Sequence, residues 1–233
     1  MNQPPTHMPL AAVLFDLDGL MIDSEPLSRE AWHLLLAAYG VTFDETLLPD
    51  MIGRRVQEVA ALVVRHHSLD VEMNEFLRQR EETLISHART RVQPMPGLLP
   101  LLDWLDTVGV ARAVATSSSR DYAASMLQAI GVSDRVDHLV TGEDVARGKP
   151  APDIYVLAAA RLGVATDTCV VLEDSLPGVQ AGRAAGMVTI AIPNDAVHRF
   201  DASVATAVVP DLVAARDWLV HHTLPIEREI DRG

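Results

Sequence analysis

The stretch Ala11-Ala12-Val13-Leu14-Phe15 runs without a break into Asp16-Leu17-Asp18-Gly19. A short apolar run with Val and Phe, stopped by a Gly, reads as a buried strand. In an open α/β sheet, ligands gather beyond the carboxyl ends of the strands. Two carboxylates, one residue apart, therefore lie where chemistry is done. Burying them unpartnered would cost on the order of several kcal/mol per charge. A cation is the obvious partner. Taken alone, the same four residues also suit a solvated turn, since Asp and Gly are ordinary turn formers.

Outward from this strand the pattern changes. From about residue 22 to 91 the periodicity is helical, with no strong strand signal. Ser24 or Asp23 is placed to cap a first helix that carries Trp32, Leu35 and Leu36 and ends at Gly40. A second helix is expected through Val56, Val59, Ala60 and Val63. A third is expected over Met73 to His87, with Phe76, Leu77, Leu84 and Ile85 facing inward. Pro94, Pro96, Gly97 and Pro100 then mark a return.

Beyond them strand and helix patterns alternate. Strand-like runs are Ala111–Ala115, His138–Val140, Cys169–Leu172, Val188–Ala191 and Ala207–Val209. Helical stretches lie near 121–130, 152–163, 176–185 and 211–221. Such alternation predicts parallel βαβ units and a doubly wound sheet. The predicted fold is α/β, with residues 1–21 and 92–233 as the α/β core and residues 22–91 as an inserted helical unit, placed to be a lid.

The formal net charge of −13 argues against a nucleic-acid binder, and any phosphate contact must come from a few chosen cations. No apolar stretch approaches a membrane span. Cys169 is the only cysteine, so no intrachain disulfide can form. The first residues lack the basic and apolar regions of a signal peptide. These features set the expectation of a cytoplasmic protein, monomeric or a weak homo-oligomer.

Of 19 basic residues, Lys149 is the one lysine, in Arg147-Gly148-Lys149-Pro150. A compact ammonium differs physically from the planar fork of arginine used everywhere else. Gly148 and Pro150 favour a shaped loop around it. Two further strand ends carry polar residues: Thr116-Ser117-Ser118-Ser119 after one and Glu173-Asp174-Ser175 after another. Hydroxyls and backbone N–H groups at a helix start suit an anion. Clustered carboxylates supply hard oxygen ligands for Mg²⁺. Each alone is also an ordinary cap or turn; four strand-edge sites together point to a Mg²⁺-phosphate ligand.

These residues resemble the haloacid dehalogenase superfamily, in its Mg²⁺-dependent phosphatase branch. Asp16-Leu17-Asp18-Gly19 matches the first family motif, Ser117 the second, Lys149 the third and Glu173-Asp174 the fourth. Asp23-Ser24-Glu25-Pro26 and the helical insert resemble the small cap of the subgroup containing β-phosphoglucomutase and sugar-phosphate phosphatases. The resemblance implies that Asp16 is a nucleophile forming an aspartyl-phosphate. Asp18 would be the acid and then the base, bound to the metal through its backbone carbonyl. Asp174, supported by Glu173, would complete the Mg²⁺ site with Asp16. Ser117 and Lys149 would hold the transferring oxygens, with a backbone N–H from Ser118.

The same resemblance separates the branches. Dehalogenases lack the second acidic residue, which Asp18 supplies here. Phosphonate-cleaving relatives use a cap lysine, and this insert has none. The mutase carries a histidine five residues after the Asp that opens the cap, and that position is Ser28. Substrate choice is expected in the cap, at Arg54 or Arg55 in Gly53-Arg54-Arg55, with Arg78 and Arg80 as weaker candidates. His66-His67 and His221-His222 lack metal-site spacing. The expected activity is phosphomonoester hydrolysis of a small metabolite, a sugar phosphate foremost. A mutase-like phosphoryl transferase is the same-fold alternative. A receiver-like module phosphorylated on Asp16 is the alternative of another class, and the long insert counts against it.

Overall fold

The computed structural model describes residues 7–51, 56–193 and 202–226. The chain forms two compact units, Met1–Asp23 with Gln93–Gly233, and Ser24–Val92.

The first unit is built on a six-stranded parallel sheet. After a short strand β1 (Met8–Leu10) come β2 (Ala12–Phe15), β3 (Ala111–Thr116), β4 (His138–Thr141), β5 (Cys169–Glu173), β6 (Val188–Ala191) and β7 (Ala207–Val208). Their order across the sheet is β4-β3-β2-β5-β6-β7. Every pairing is parallel. The chain leaves central β2 for β3 and β4 on one side, then crosses to β5 on the other. The carboxyl end of β2 is therefore the place where strand order reverses, which in such sheets opens a ligand crevice.

Helices α5 (Leu98–Val108), α6 (Arg120–Ala129), α7 (Asp153–Leu162), α8 (Leu176–Ala184) and α9 (Leu212–His222) belong to this unit. All six residues of β3 are buried. Ala113 and Ala115 pack with Ile154, Tyr155 and Ala158 of α7, while Val114 between them points to the other face. A strand buried on both faces needs layers on both sides, and helices cover both. Residues Ala11–Phe15 read as one strand from sequence; Ala11 instead separates β1 from β2.

Three elements of this unit, β1, α5 and a short strand after α9, are absent from the sequence reading. Helix α5 forms although Pro100 lies inside it. Pro100 is the third helical residue, where the backbone N–H has no intrahelical acceptor, so its loss costs nothing there. Strand β8 (Thr223–Pro225) directly follows α9 and pairs in parallel with β1 as a separate two-stranded sheet. Each strand has three residues and carries a proline, too little for a period-2 pattern.

The second unit is helical: α1 (Glu25–Ala38), α2 (Leu48–Met51), α3 (Val56–His66) and α4 (Met73–Ala88). Its core joins Trp32, Leu35, Leu36, Phe43, Leu47, Val59, Ala60, Val63 and Phe76. Trp32, Leu35, Leu36, Val59, Ala60, Val63 and Phe76 are apolar positions expected on the three longer helices, and Phe43 and Leu47 from the connection close the core; Val56 is instead exposed, and Leu84 is buried outside this cluster. Ser24 occupies the N-cap position of α1 but makes no side-chain cap bond, so the expected hydroxyl cap is not formed. Among the described residues, no helix is long and apolar enough to cross a membrane.

Candidate active site

Four separate strand ends converge at one edge of the sheet. Asp16 follows β2 and its backbone N–H still donates to Leu172 of β5 at 3.1 Å. Glu173 is the last residue of β5, and Asp174 follows it. Lys149 lies in the connection from β4 to α7. The residues come from positions up to 158 apart, yet ligand oxygens of Asp16, Glu173 and Asp174 lie within 4.8 Å of one another, all three residues buried.

Lys149 sits among these carboxylates. Its Nζ donates to Asp16 Oδ1, and to Glu173 Oε1 at 2.6 Å. The side chain is 5% exposed and its ammonium lies 5.1 Å from the centroid of the Tyr155 ring. Burial opposes that charge, but Asp16 and Glu173 outweigh it and hold Lys149 above the ordinary lysine range. The fork of Arg147 grips Asp153, at 2.7 Å and 3.0 Å, and ties this loop to the first turn of α7.

Glu173 is wholly enclosed and fully bonded. Oε1 accepts from Lys149 and from the Tyr155 hydroxyl at 2.7 Å; Oε2 accepts from the Ser175 backbone at 3.1 Å and hydroxyl at 2.9 Å. The Ser175 hydroxyl in turn accepts from Gly178 N, capping α8. Burial, then the neighbouring carboxylates, raise Tyr155 well above the ordinary phenol range, so it stays a donor.

Asp174 is different. It is 7% exposed, and among the described residues no donor reaches its carboxylate. Burial first, then Asp16 and Glu173, push Asp174 above the ordinary carboxylate range. Burial also raises Asp16, against the pull of Lys149. With one ammonium among three buried carboxylates, the local charge is short of cation. An oxygen-only donor set with an unbonded buried carboxylate fits a small hard divalent ion such as Mg²⁺. Asp16 and Asp174 are the freer ligands; Glu173 already carries four hydrogen bonds.

Two glycines make room for these carboxylates. Gly19 has φ +80°, and a Cβ there would strike the Asp174 carboxylate. Gly178 lies in the first turn of α8, and a Cβ there would strike Glu173. Alanine in place of an exposed helical glycine usually stabilises by about 1 kcal/mol. Gly178→Ala is expected to do the opposite, destabilising by about 1–3 kcal/mol as an overpacked site does. Denaturant unfolding of the pure variant checks the sign; a stabilised variant would mean that Glu173 moves aside freely.

Asp18 lies outside the buried trio. Its carboxylate accepts from the Ser118 hydroxyl at 2.7 Å and from the Tyr122 hydroxyl at 2.8 Å. Ser117 sits exposed just past β3. The backbone N–H of Ser118, expected to face a phosphoryl oxygen, instead donates to Thr116 Oγ1 at 3.0 Å, and its hydroxyl goes to Asp18. Sequence reasoning missed Tyr122, Tyr155 and Ser175. The Ser-x-x-Gly start of a helix signals Ser175 as a cap; the two tyrosines act across the fold and leave no local signal.

Arg54 and Arg55 lie outside the described residues. Arg78 is engaged by Glu75 and Glu82 on its own helix. Arg80 donates to Ser28 Oγ at 2.6 Å and lies 5.2 Å from the Trp32 ring centroid. His66 meets Asp44 at 2.9 Å, a contact within the helical unit.

A family model for hydrolases of the haloacid dehalogenase-like type matches residues 10–186. Fructose-1-phosphate phosphatase YqaB of Escherichia coli K12 is 33% identical over 177 residues, 76% of this chain and 93% of that protein. Validoxylamine A 7′-phosphate phosphatase of Streptomyces hygroscopicus subsp. limoneus is 36% identical over 182 residues, 77% of this chain and 84% of that protein. Among solved structures, CbbY of Rhodobacter sphaeroides in complex with phosphate superposes with a TM-score of 0.75 at 28% identity, covering 88% of this chain and 95% of that one.

Proposed function

This chain belongs to the haloacid dehalogenase-like hydrolase family, and we propose that it is a Mg²⁺-dependent phosphatase of small phosphorylated metabolites, sugar phosphates foremost. The observation that carries the reading is the buried trio Asp16, Glu173 and Asp174 with Lys149 among them, at the switch point of the sheet. The named activities of the two relatives, on fructose 1-phosphate and on validoxylamine A 7′-phosphate, support the substrate class.

In the proposed mechanism an Asp16 oxygen attacks phosphorus, and the bond from phosphorus to the leaving oxygen breaks. Asp18 gives that oxygen a proton. Water then attacks the phosphorus of the aspartyl-phosphate and gives its proton to Asp18; the bond to Asp16 breaks and the carboxylate is restored. Lys149, anchored by Glu173, faces the charge that gathers on the transferring oxygens, and Ser117 is the hydroxyl assigned to the same group. Asp16 and Asp174 would hold Mg²⁺, which offsets the charge of the phosphoryl group and keeps Asp16 ionised. The receiver-like alternative is set aside by the family assignment. Against a mutase, Ser28 stands where that branch carries an imidazole, and its hydroxyl is bonded to Arg80.

Steady phosphate release from a panel of sugar phosphates, lost with EDTA and restored by Mg²⁺, is the expected result. Release indifferent to EDTA would overturn the metal assignment. Fast conversion of β-glucose 1-phosphate to glucose 6-phosphate, with a trace of glucose 1,6-bisphosphate and negligible phosphate release, would overturn the hydrolase in favour of a mutase.

The same site predicts a stability signature. In metal-free protein, Asp16 and Asp174 retain protons that the unfolded chain has already released. The native state then binds more protons, so stability falls as pH rises above the ordinary carboxylate range. Mg²⁺ binds the ionised form and should flatten that slope while raising Tm. Thermal melts from pH 5 to 8 (roughly the window above the ordinary carboxylate pKa), with and without Mg²⁺, check both signs. Asp174→Asn should shrink the Mg²⁺ shift; a full shift in that variant would place the ion elsewhere.

A further inference from the structure

We propose that Tyr122 is a positioning residue for Asp18, holding the carboxylate that handles the proton at a fixed place apart from the metal-binding trio. The inference rests on the phosphatase reading and adds to it a residue that none of the family motifs includes.

The geometry is specific. Tyr122 stands in the first turn of α6, where Ser119 caps the helix by accepting from Tyr122 N at 3.3 Å. The cap fixes the backbone from which the ring projects. The residue is 4% exposed, so its ring is locked by packing and its hydroxyl has little freedom. That hydroxyl reaches Asp18 Oδ1 at 2.8 Å, 104 residues away in sequence. The Ser118 hydroxyl takes the other oxygen, Oδ2, at 2.7 Å. Ser118 lies in the segment joining β3 to α6 and Tyr122 in the first turn of α6, and each carboxylate oxygen has its own anchor.

Anchoring is needed here. Asp18 has two rotatable side-chain bonds and stands near Asp16 and Asp174, which it repels. Without a partner on its far side it would turn towards solvent. A proton donor must be within about 2.6–3.2 Å of the atom it serves, so a wandering carboxylate is a poor acid. The chemical nature of the anchors also matters. An Arg or Lys would hold only the ionised form, being a donor alone. A hydroxyl both donates and accepts, and so can stay bonded to Asp18 whether or not it carries the proton. The two-step reaction requires both forms in turn.

The consequence is a dependence on leaving group. p-Nitrophenolate departs with little help from an acid, whereas a sugar or other alkyl alkoxide departs only when protonated. Tyr122→Phe, which removes one oxygen from a buried ring, is expected to lower kcat/KM on an alkyl phosphate by about tenfold to a hundredfold, part of what a general acid contributes. On p-nitrophenyl phosphate the loss in kcat/KM should stay below about threefold by the same reasoning. Phenyl phosphate should fall between the two. In an Asp18→Ala background, Tyr122→Phe should add little further loss, because its partner is gone.

The test is kcat/KM for these three esters in wild type, Tyr122→Phe, Ser118→Ala, Asp18→Ala and the Tyr122→Phe/Asp18→Ala double variant, each with Mg²⁺, beside circular-dichroism melts. A leaving-group-dependent loss that vanishes in the double variant supports the proposal. Ser118→Ala should show the same dependence, and it reports on the anchoring even if Tyr122→Phe proves unstable. Equal losses on all three esters, or additive losses in the double variant, would mean that Tyr122 serves only packing and would overturn it. No loss on the alkyl ester would overturn it too. A wild type that releases no phosphate from any of the three or from the sugar-phosphate panel would instead overturn the phosphatase reading, and this inference with it.

Discussion

Asp16→Asn is expected to abolish turnover while leaving the fold intact. The substitution is nearly isosteric, and in the proposed mechanism it removes the attacking charge and a metal ligand together. The cluster should tolerate it: burial already raises Asp16 above the ordinary carboxylate range, so a neutral amide there relieves like-charge crowding with Glu173 and Asp174. Lys149 keeps Glu173 as its counter-ion at 2.6 Å. Metal-free Asp16→Asn should therefore melt no lower than wild type, while its stabilisation by Mg²⁺ shrinks. Activity should drop below about a hundredth, at least ~2.7 kcal/mol of barrier by the transition-state relation. Hydroxylamine should trap an acyl phosphate on the wild type during turnover and none on the variant. A variant that keeps more than that hundredth, or still yields the trapped adduct, would place the nucleophile elsewhere.

The positions of these groups were legible because each ends a strand. Asp16, Ser117, Glu173 and Asp174 all follow apolar runs, and parallel βαβ topology brings every strand's carboxyl end to one edge. Lys149 was legible by a different route, as the one ammonium in an arginine-only chain, flanked by Gly and Pro. What surrounds the groups was not legible. Tyr155 looks like a core aromatic of α7, and it is one, yet its hydroxyl also fastens Glu173. Gly178 looks like a weak helical residue, and only the Glu173 side chain explains it. The bond from Tyr122 to Asp18 joins the first turn of α6 to the turn after β2, 104 positions away. Such contacts are set by tertiary placement, which local periodicity does not encode. The same holds for β8 and for α5, where Pro100 masked a helix that only its first turn could accommodate.

Lys149→Arg is expected to be severely impaired although the charge is kept. The ammonium reaches Asp16 and Glu173 together from a single point, with the Tyr155 ring beside it. A guanidinium presents a flat fork of fixed width and needs more room than a side chain 5% exposed has around it. Seating the fork would push Glu173 against Gly178 or turn one donor away from Asp16. Either movement displaces the charge that, in the proposed mechanism, faces the transferring oxygens. Losing one well-placed stabiliser of this kind costs roughly tenfold to a thousandfold in rate. The loss should fall mainly in kcat, because the charge to be stabilised develops in the transition state. Lys149→Met separates charge from fit. It leaves Asp16, Glu173 and Asp174 without their ammonium, and breaking a buried pair in this way costs about 3–5 kcal/mol. Lys149→Met should therefore lose both stability and activity, and Lys149→Arg chiefly activity. Melting curves and steady-state kinetics on the two variants decide the matter. Near-normal kcat in Lys149→Arg would mean that any cation at this position suffices.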